Sequence, residues 1–280
     1  MKDEAKRVLA LGGDGRYPHA VRALRRQGLT VDTWGVPELP DSVPDPWEAM
    51  GRADLLLLPL GAFSGEQIPV GDRKLEGALL PEWMKKGSCV AAGGFPPELE
   101  RWYREQGLRC VSLLELEPFR MSSAAATADG AICLAMEHMG RTLDGAGVLV
   151  VGWGRIGRQL AWRLKALGAH VTIASRQEQW EPEHLGYQTD VTSRYGRGLD
   201  VYDLIVNTAP SPVMTMEQAA SVRRDCLLLD LASAPGGFPQ DLPGTVKAPG
   251  LPGKLFPRTA GEDLARALVW AAWGEGRELE

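Results

Sequence analysis

Histidine and cysteine are scarce, four of each in 280 residues. No two cysteines stand as C-x-x-C and no histidine cluster lies near them, which leaves neither a zinc site nor a redox motif to read. Cys89, Cys110 and Cys133 fall in apolar runs, so these thiols are expected to be buried, in a reducing compartment. No apolar run approaches the ~18 residues of a membrane span. The opening Met-Lys-Asp-Glu-Ala-Lys-Arg mixes charges ahead of a short apolar run, unlike a secretion signal or a transit peptide. A cytoplasmic protein is the expectation. A strong excess of one charge is missing too: 31 Lys and Arg against 36 Asp and Glu leave −5. That balance gives no general attraction to nucleic acid or anionic membrane. Any anion must be bound by a local arrangement.

Glycine is plentiful, 33 residues, and it falls where strands and helices end. At ~150 residues per domain the length allows about two domains. Val8–Leu11 reads as a strand, followed by Gly12-Gly13-Asp14-Gly15-Arg16; Pro18 then suits the first turn of a helix stopped by Gly28. Strands are predicted at Leu29–Trp34, Leu55–Leu60, Cys89–Ala92 and Leu108–Leu114, with a helix over Pro97–Gln106. The continuous Leu run at 55–60 suits a strand buried on both faces, as in parallel sheets. The Ala- and Met-rich stretch 122–140 reads as a helix joining two domains. A second series follows: strand Gly147–Val151, helix Ile156–Leu167, then strands His170–Ala174, Leu204–Asn207 and Leu227–Leu231. A last helix opens at Thr259, with Glu262 at capping-box spacing. The fold class is therefore α/β, two doubly wound, Rossmann-like domains with a cleft between them, joined by long helices. Residues 1–120 form the first, on the substrate side; residues 121–257 form the second; helix 258–274 packs back on the first or stands apart.

The segment Gly152-Trp153-Gly154-Arg155-Ile156-Gly157 follows a Val-rich strand and opens an amphipathic helix. G-x-G-x-x-G in that setting is a dinucleotide fingerprint. Gly152 permits the turn, Gly154 lets a diphosphate reach the backbone, and Gly157 lets the helix pack on the strand. The amides of Arg155 and Ile156 belong to the helix start that attracts the diphosphate. An NAD site places a carboxylate about 20 residues beyond the motif. Here the second strand runs into Ser175-Arg176, and no carboxylate appears before Glu178. A hydroxyl and a guanidinium suit a 2′-phosphate, so NADP is favoured over NAD. Two further strand ends, Asn207-Thr208-Ala209-Pro210 and Asp230-Leu231-Ala232-Ser233, are placed to edge the nicotinamide, or serve only as turns.

These residues resemble the A subunit of dipicolinate synthase from spore-forming bacteria. Besides the glycine motif and Asn207–Pro210, the resemblance runs through Gly12–Arg16, Leu58-Pro59-Leu60 and Thr127-Ala128-Asp129-Gly130-Ala131. It continues through Asp230–Gly237, Ala248–Lys254 and Pro257–Gly261. The chain departs from the family pattern at Ser123 and Ala126, where the family has Asn and Pro, at Asp129 in place of Glu, and at Ala234 in place of Lys. The resemblance implies NADP-dependent oxidation of a dihydro- or hydroxytetrahydro-dipicolinate, at a branch of the lysine pathway, during sporulation in the mother cell. It also implies a partner, a flavoprotein-like B subunit; a homo-oligomer is a further expectation. The rivals are a 2-hydroxyacid-type dehydrogenase and a non-catalytic NADP-binding regulatory or scaffold subunit.

A dicarboxylate in a net-acidic chain needs local cations or N–H nests. Arg16, beside the amides of Gly12–Gly15, and Lys254 are the candidates; each also reads as a surface charge. Thr127, with Ser122 and Ser123, stands at the predicted start of the joining helix, to cap it or to bind ligand. Asp14 is placed to take a proton near Arg16 or to pair with it. His19, His138, His170 and His184 form no constellation.

Overall fold

The structure, a computed structural model, describes residues 6–63, 67–178, 180–195, 198–233, 235–240 and 242–274. The chain divides into two compact units, residues 1–122 with 256–280, and residues 123–255.

In the first unit a parallel sheet is built from β1 (Arg7–Leu11), β2 (Thr30–Trp34), β3 (Leu55–Leu57) and two later strands. Between them run α1 (Tyr17–Arg26) and α2 (Pro46–Arg52). An antiparallel hairpin follows, β4 (Gln67–Val70) and β5 (Arg73–Glu76), then α3 (Leu80–Trp83). The sheet resumes with β6 (Cys89–Ala92), α4 (Pro97–Glu105) and β7 (Arg109–Ser112), after which α5 (Glu117–His138) begins. Sheet order is β2-β1-β3-β6-β7, all parallel. Counted along the five parallel strands that is 2-1-3-4-5, the order of the flavodoxin-like doubly wound sheet. The boundary between the units falls inside α5.

The second unit contains β8 (Gly147–Val151), α6 (Arg155–Ala166), β9 (His170–Ser175), α7 (Trp180–His184) and β10 (Gln188–Val191). It continues with β11 (Leu204–Asn207), α8 (Met216–Ala219), β12 (Leu227–Asp230), β13 (Thr245–Lys247) and α9 (Leu251–Leu255). Its sheet order, β10-β9-β8-β11-β12-β13, is the 3-2-1-4-5-6 of the dinucleotide-binding Rossmann sheet. β11 and β12 are buried along their length and β8 from Val148 on, as strands covered on both faces must be.

The last helix, α10 (Pro257–Trp273), belongs to the first unit and packs along α1. Gly261 makes this approach possible: a Cβ there would stand 2.3 Å from the Arg16 carbonyl oxygen. Leu264, Ala265 and Leu268 then share one core with Tyr17, Ala20, Val21 and Leu24.

Several sequence expectations are corrected. The strand expected over 55–60 ends at Leu57; the Leu58 amide still bonds the Ala91 carbonyl, but Pro59 has no N–H to continue the ladder. The joining helix starts at Glu117, so Ser122, Ser123 and Thr127 lie in its interior and cap nothing. α10 starts at Pro257, with Phe256 before it and no side-chain cap. Glu262 is instead bound by Arg26 of α1 at 3.0 Å and by Arg258. Cys133 is exposed, on the face of α5 that also presents Asp129 and Met136. Cys110 is only half-buried, whereas Cys89 is buried and its thiol is pushed up to about 11 by that burial.

Candidate functional site

The site is built on the loop between β8 and α6. The Gly152 amide donates to the Ala174 carbonyl of β9 at 2.8 Å, which ties the loop to the neighbouring strand. Gly152 has φ +108°, and a Cβ there would stand 2.4 Å from the Thr208 hydroxyl. Thr208 in turn donates that hydroxyl and its amide to the Val151 carbonyl, both at 2.9 Å. A Cβ on Gly157 would stand 2.0 Å from the Gly152 carbonyl oxygen. Both glycines are therefore demanded by the chain's own packing. Gly154 is not: it is exposed, its φ of −84° suits any residue, and a Cβ there would meet nothing within 4 Å. The missing side chain leaves the backbone there open to a group from outside the chain.

Gly154 is also the N-cap of α6 and can offer no side-chain oxygen to the first turn. That turn holds no Asp or Glu; it carries Arg155, Ile156, Gly157 and Arg158. The positive end of a 12-residue helix is thus left without an acidic partner on the helix itself. Residues and geometry fit a dinucleotide diphosphate.

At the end of β9 the Ser175 hydroxyl donates to the Gln177 carbonyl, and Arg176 is exposed with no partner among the described residues. The nearest carboxylates are engaged. Glu178 faces Arg194 at 3.5 Å. Glu181 accepts a bidentate pair from Arg158, at 2.5 and 2.6 Å, and a third bond from the Trp153 indole at 3.1 Å. Neither Glu181 nor its partners were singled out in the sequence. The acid follows the motif at roughly a ribose-binding distance, but its use by Arg158 is a matter of folding.

Asn207 and Asp230, at the strand ends expected to edge the nicotinamide or to serve as turns, are buried, 0% and 3% exposed. They bond each other, Nδ2 to Oδ1 at 2.8 Å. Both close runs of buried apolar residues, at paired positions of β11 and β12; two polar residues at the ends of adjacent apolar strands are the signal that was available. Thr208 and Ala209 are half-buried and Pro210 is exposed at the same strand ends. Ala234 lies outside the described residues.

In the first unit Asp14 and Arg16 come together: the Arg16 Nε donates to Asp14 Oδ1 at 2.8 Å and its amide to the same atom at 3.1 Å. The Arg16 side chain is 12% exposed and the Asp14 side chain 50%. The expected amide nest is smaller than predicted, because the Gly12 N–H is taken by the Trp34 carbonyl at 2.9 Å. The Tyr17 hydroxyl, which donates to the Leu58 carbonyl at 2.7 Å, is held far above the usual phenol range by burial. In the second unit the Thr127 hydroxyl turns back on its own helix and donates to the Ser123 carbonyl at 2.7 Å. Lys254, on α9, is exposed and pairs with no carboxylate among the described residues.

Comparison with known proteins accounts for both units. Residues 7–114 match the family described as the N-terminal domain of the dipicolinate synthase A subunit. Residues 120–218 match the NAD-binding domain of D-isomer-specific 2-hydroxyacid dehydrogenases. The dipicolinate synthase A subunit of Bacillus subtilis strain 168 is 28% identical over 287 residues, 94% of each chain. The resemblance to this synthase holds. The solved A subunit of Bacillus halodurans superimposes with a TM-score of 0.83 at 26% identity, covering 96% of this chain and 98% of that one. The solved Bacillus subtilis counterpart does so at 0.79 and 26% identity, with 95% of each chain covered. A D-lactate dehydrogenase from Treponema pallidum, 13% identical, shares the fold at a TM-score of 0.62 over 94% of each chain. Most of the second unit is thus similar to a nicotinamide-dinucleotide-binding domain of the dehydrogenase type. Among the described residues, no helix is long and apolar enough to cross a membrane.

Proposed function

We propose that this chain is the A subunit of an NADP-dependent dipicolinate synthase and oxidises a dihydro- or hydroxytetrahydro-dipicolinate to dipicolinate beside a flavoprotein-like B subunit. The observation that carries the cofactor part is Gly154, the one motif glycine that the chain's own packing does not require. Support for the phosphorylated ribose comes from charge. Arg176 stands exposed after β9, while Glu181 is held by a bidentate pair from Arg158 and Glu178 faces Arg194 at 3.5 Å.

The chemistry the dinucleotide supplies when bound is two-electron hydride transfer. What remains for the chain is to bind, orient and discharge. Arg16, preset by Asp14, takes a substrate carboxylate. Asp14 serves this by fixing the Arg16 fork. A dihydrodipicolinate that loses a hydride must also lose a proton, which goes to solvent with aromatisation of the ring as the driving force; a hydroxytetrahydro-dipicolinate must first lose its hydroxyl as water.

The test is calorimetry with NADP and NAD. Arg176→Ala should weaken NADP binding by tenfold or more, the scale of ~1.5–3 kcal/mol for hydrogen bonds to a charged group, and leave NAD binding nearly unchanged. Equal affinity of the parent chain for both nucleotides would overturn the NADP assignment.

One observation favours a second reading, a non-catalytic NADP-binding subunit that regulates its partner. The polar groups proposed for chemistry are engaged internally, Asp14 by Arg16 and Thr127 by Ser123. NADP-dependent turnover by the purified chain without any partner, lost in Arg16→Ala, would eliminate it.

A further inference from the structure

Asn207 and Asp230 account for every polar atom of their side chains within the second unit. Asn207 donates to Asp230 at 2.8 Å and to the Ala209 carbonyl at 2.9 Å, and its oxygen accepts the Ala209 amide at 3.0 Å. Asp230 also accepts the amides of Ala232 at 3.1 Å and Gly237 at 3.0 Å, with Phe238 at 3.5 Å. The loop after β12 is moulded to this pair. A Cβ on Gly236 would stand 2.5 Å from Asp230 Oδ2, and one on Gly237 would stand 2.2 Å from Asn207 Nδ2. A buried carboxylate is tolerated only when donors replace its water, and here they come from Asn207 at the end of β11 and from the loop after β12.

We propose that Asn207 and Asp230 are positioning residues, a latch that fixes the loop after β11 to the loop after β12 and so sets Thr208–Pro210 against the nicotinamide half of the dinucleotide. This rests on the NADP reading above. In a 3-2-1-4-5-6 sheet the dinucleotide lies across the switch between β8 and β11. The half bearing the 2′-phosphate then belongs to β9 and Arg176, and the nicotinamide half to β11 and β12. The latch bears on one half of the ligand only.

Adenosine 2′,5′-bisphosphate, which lacks the nicotinamide half, separates the two. In Asp230→Asn, where an amide replaces one accepting oxygen, and in Gly237→Ala, the NADP dissociation constant should rise about tenfold or more, the scale expected for an unmatched buried donor. The bisphosphate constant should stay within about twofold of the parent value. Thr215→Ala, which removes the capping box of α8, should lower the melting temperature and change neither constant. In the parent chain NADP should slow hydrogen exchange at Ala209, Ala232 and Gly237 together, a readout that needs no variant. Equal weakening of both ligands in the latch variants, no weakening of either, or protection confined to Ala209 would each overturn the latch. A parent chain that binds neither ligand would overturn the NADP reading first, and the latch with it.

Discussion

Gly152, Gly154 and Gly157 answer to three different neighbours, and a single methyl group tells them apart. At Gly157 the methyl would meet the Gly152 carbonyl oxygen at 2.0 Å, so Gly157→Ala must push helix α6 off its strand. A loss of about 2 kcal/mol is expected, read as a lower denaturation midpoint, with cofactor affinity falling alongside. At Gly154 the methyl would meet no protein atom within 4 Å. Gly154→Ala should leave stability within about 0.5 kcal/mol, the reduced freedom of the unfolded chain offsetting a slightly poorer N-cap. Its NADP affinity should fall at least tenfold, because the diphosphate needs that space. Should Gly154→Ala bind NADP as the parent does, the loop is a structural turn and nothing more.

At the scale of elements, the two units use one device at the same place. Asp54 precedes β3, donates its amide to the Arg7 carbonyl at the start of β1, and accepts the Arg7 amide on its carboxylate, both at 2.8 Å. Asp203 precedes β11 and does the same with Gly147 at the start of β8, also at 2.8 Å. Lys85 neutralises the first, and Arg141 and Arg223 the second. Burial alone would raise the pKa of Asp203, but the Gly147 amide and the two guanidiniums outweigh it and hold the carboxyl below its usual 3.8. A depressed carboxyl stabilises the fold above its unfolded pKa and loses that contribution as pH falls through its folded pKa. Asp203→Asn should therefore cost about 1.5–3 kcal/mol at pH 7. Urea titrations should show the gap between variant and parent narrowing as pH drops below about 4. A gap that does not change with pH would mean that packing, not charge, holds β11 to β8.

At the scale of the molecule, the first unit is closed by a helix from the far end of the chain. Leu264 and Leu268 are fully buried against α1, and Arg109 of β7 reaches the Ala272 carbonyl at 2.9 Å. Each buried leucine is worth ~1.5–3 kcal/mol, so removing α10 forfeits an amount comparable to the stability of a whole domain. A chain truncated after Leu255 should lose hydrogen-exchange protection in β1, β2 and α1. The second unit is continuous in sequence, residues 123–255, and β8, β9 and β11 should keep theirs. Uniform loss of protection across both sheets would show instead that the units do not fold separately.

The parallel α/β class and the glycine-rich turn between β8 and α6 were legible in the amino-acid sequence because their causes are local. Short β-branched runs such as Leu149-Val150-Val151, ended by glycine, favour buried strands, and Gly152, Gly154 and Gly157 mark a turn whose geometry lies within a few residues. What lay beyond the sequence depends on distant partners. Glu262 stands at capping-box spacing, yet its carboxylate meets Arg26, 236 residues away. The hairpin β4–β5, a pair of four-residue strands with Pro69 in one, is held over the turns after β1 and β2, where Val70 fills the space left by Gly12 and Gly35. Asn207 and Asp230 look like two loop residues 23 positions apart until the sheet sets β11 beside β12. Periodicity and glycine placement act over one turn or one strand, whereas a carboxylate takes whichever cation or amide the packed chain brings within 3 Å. That choice belongs to the tertiary structure.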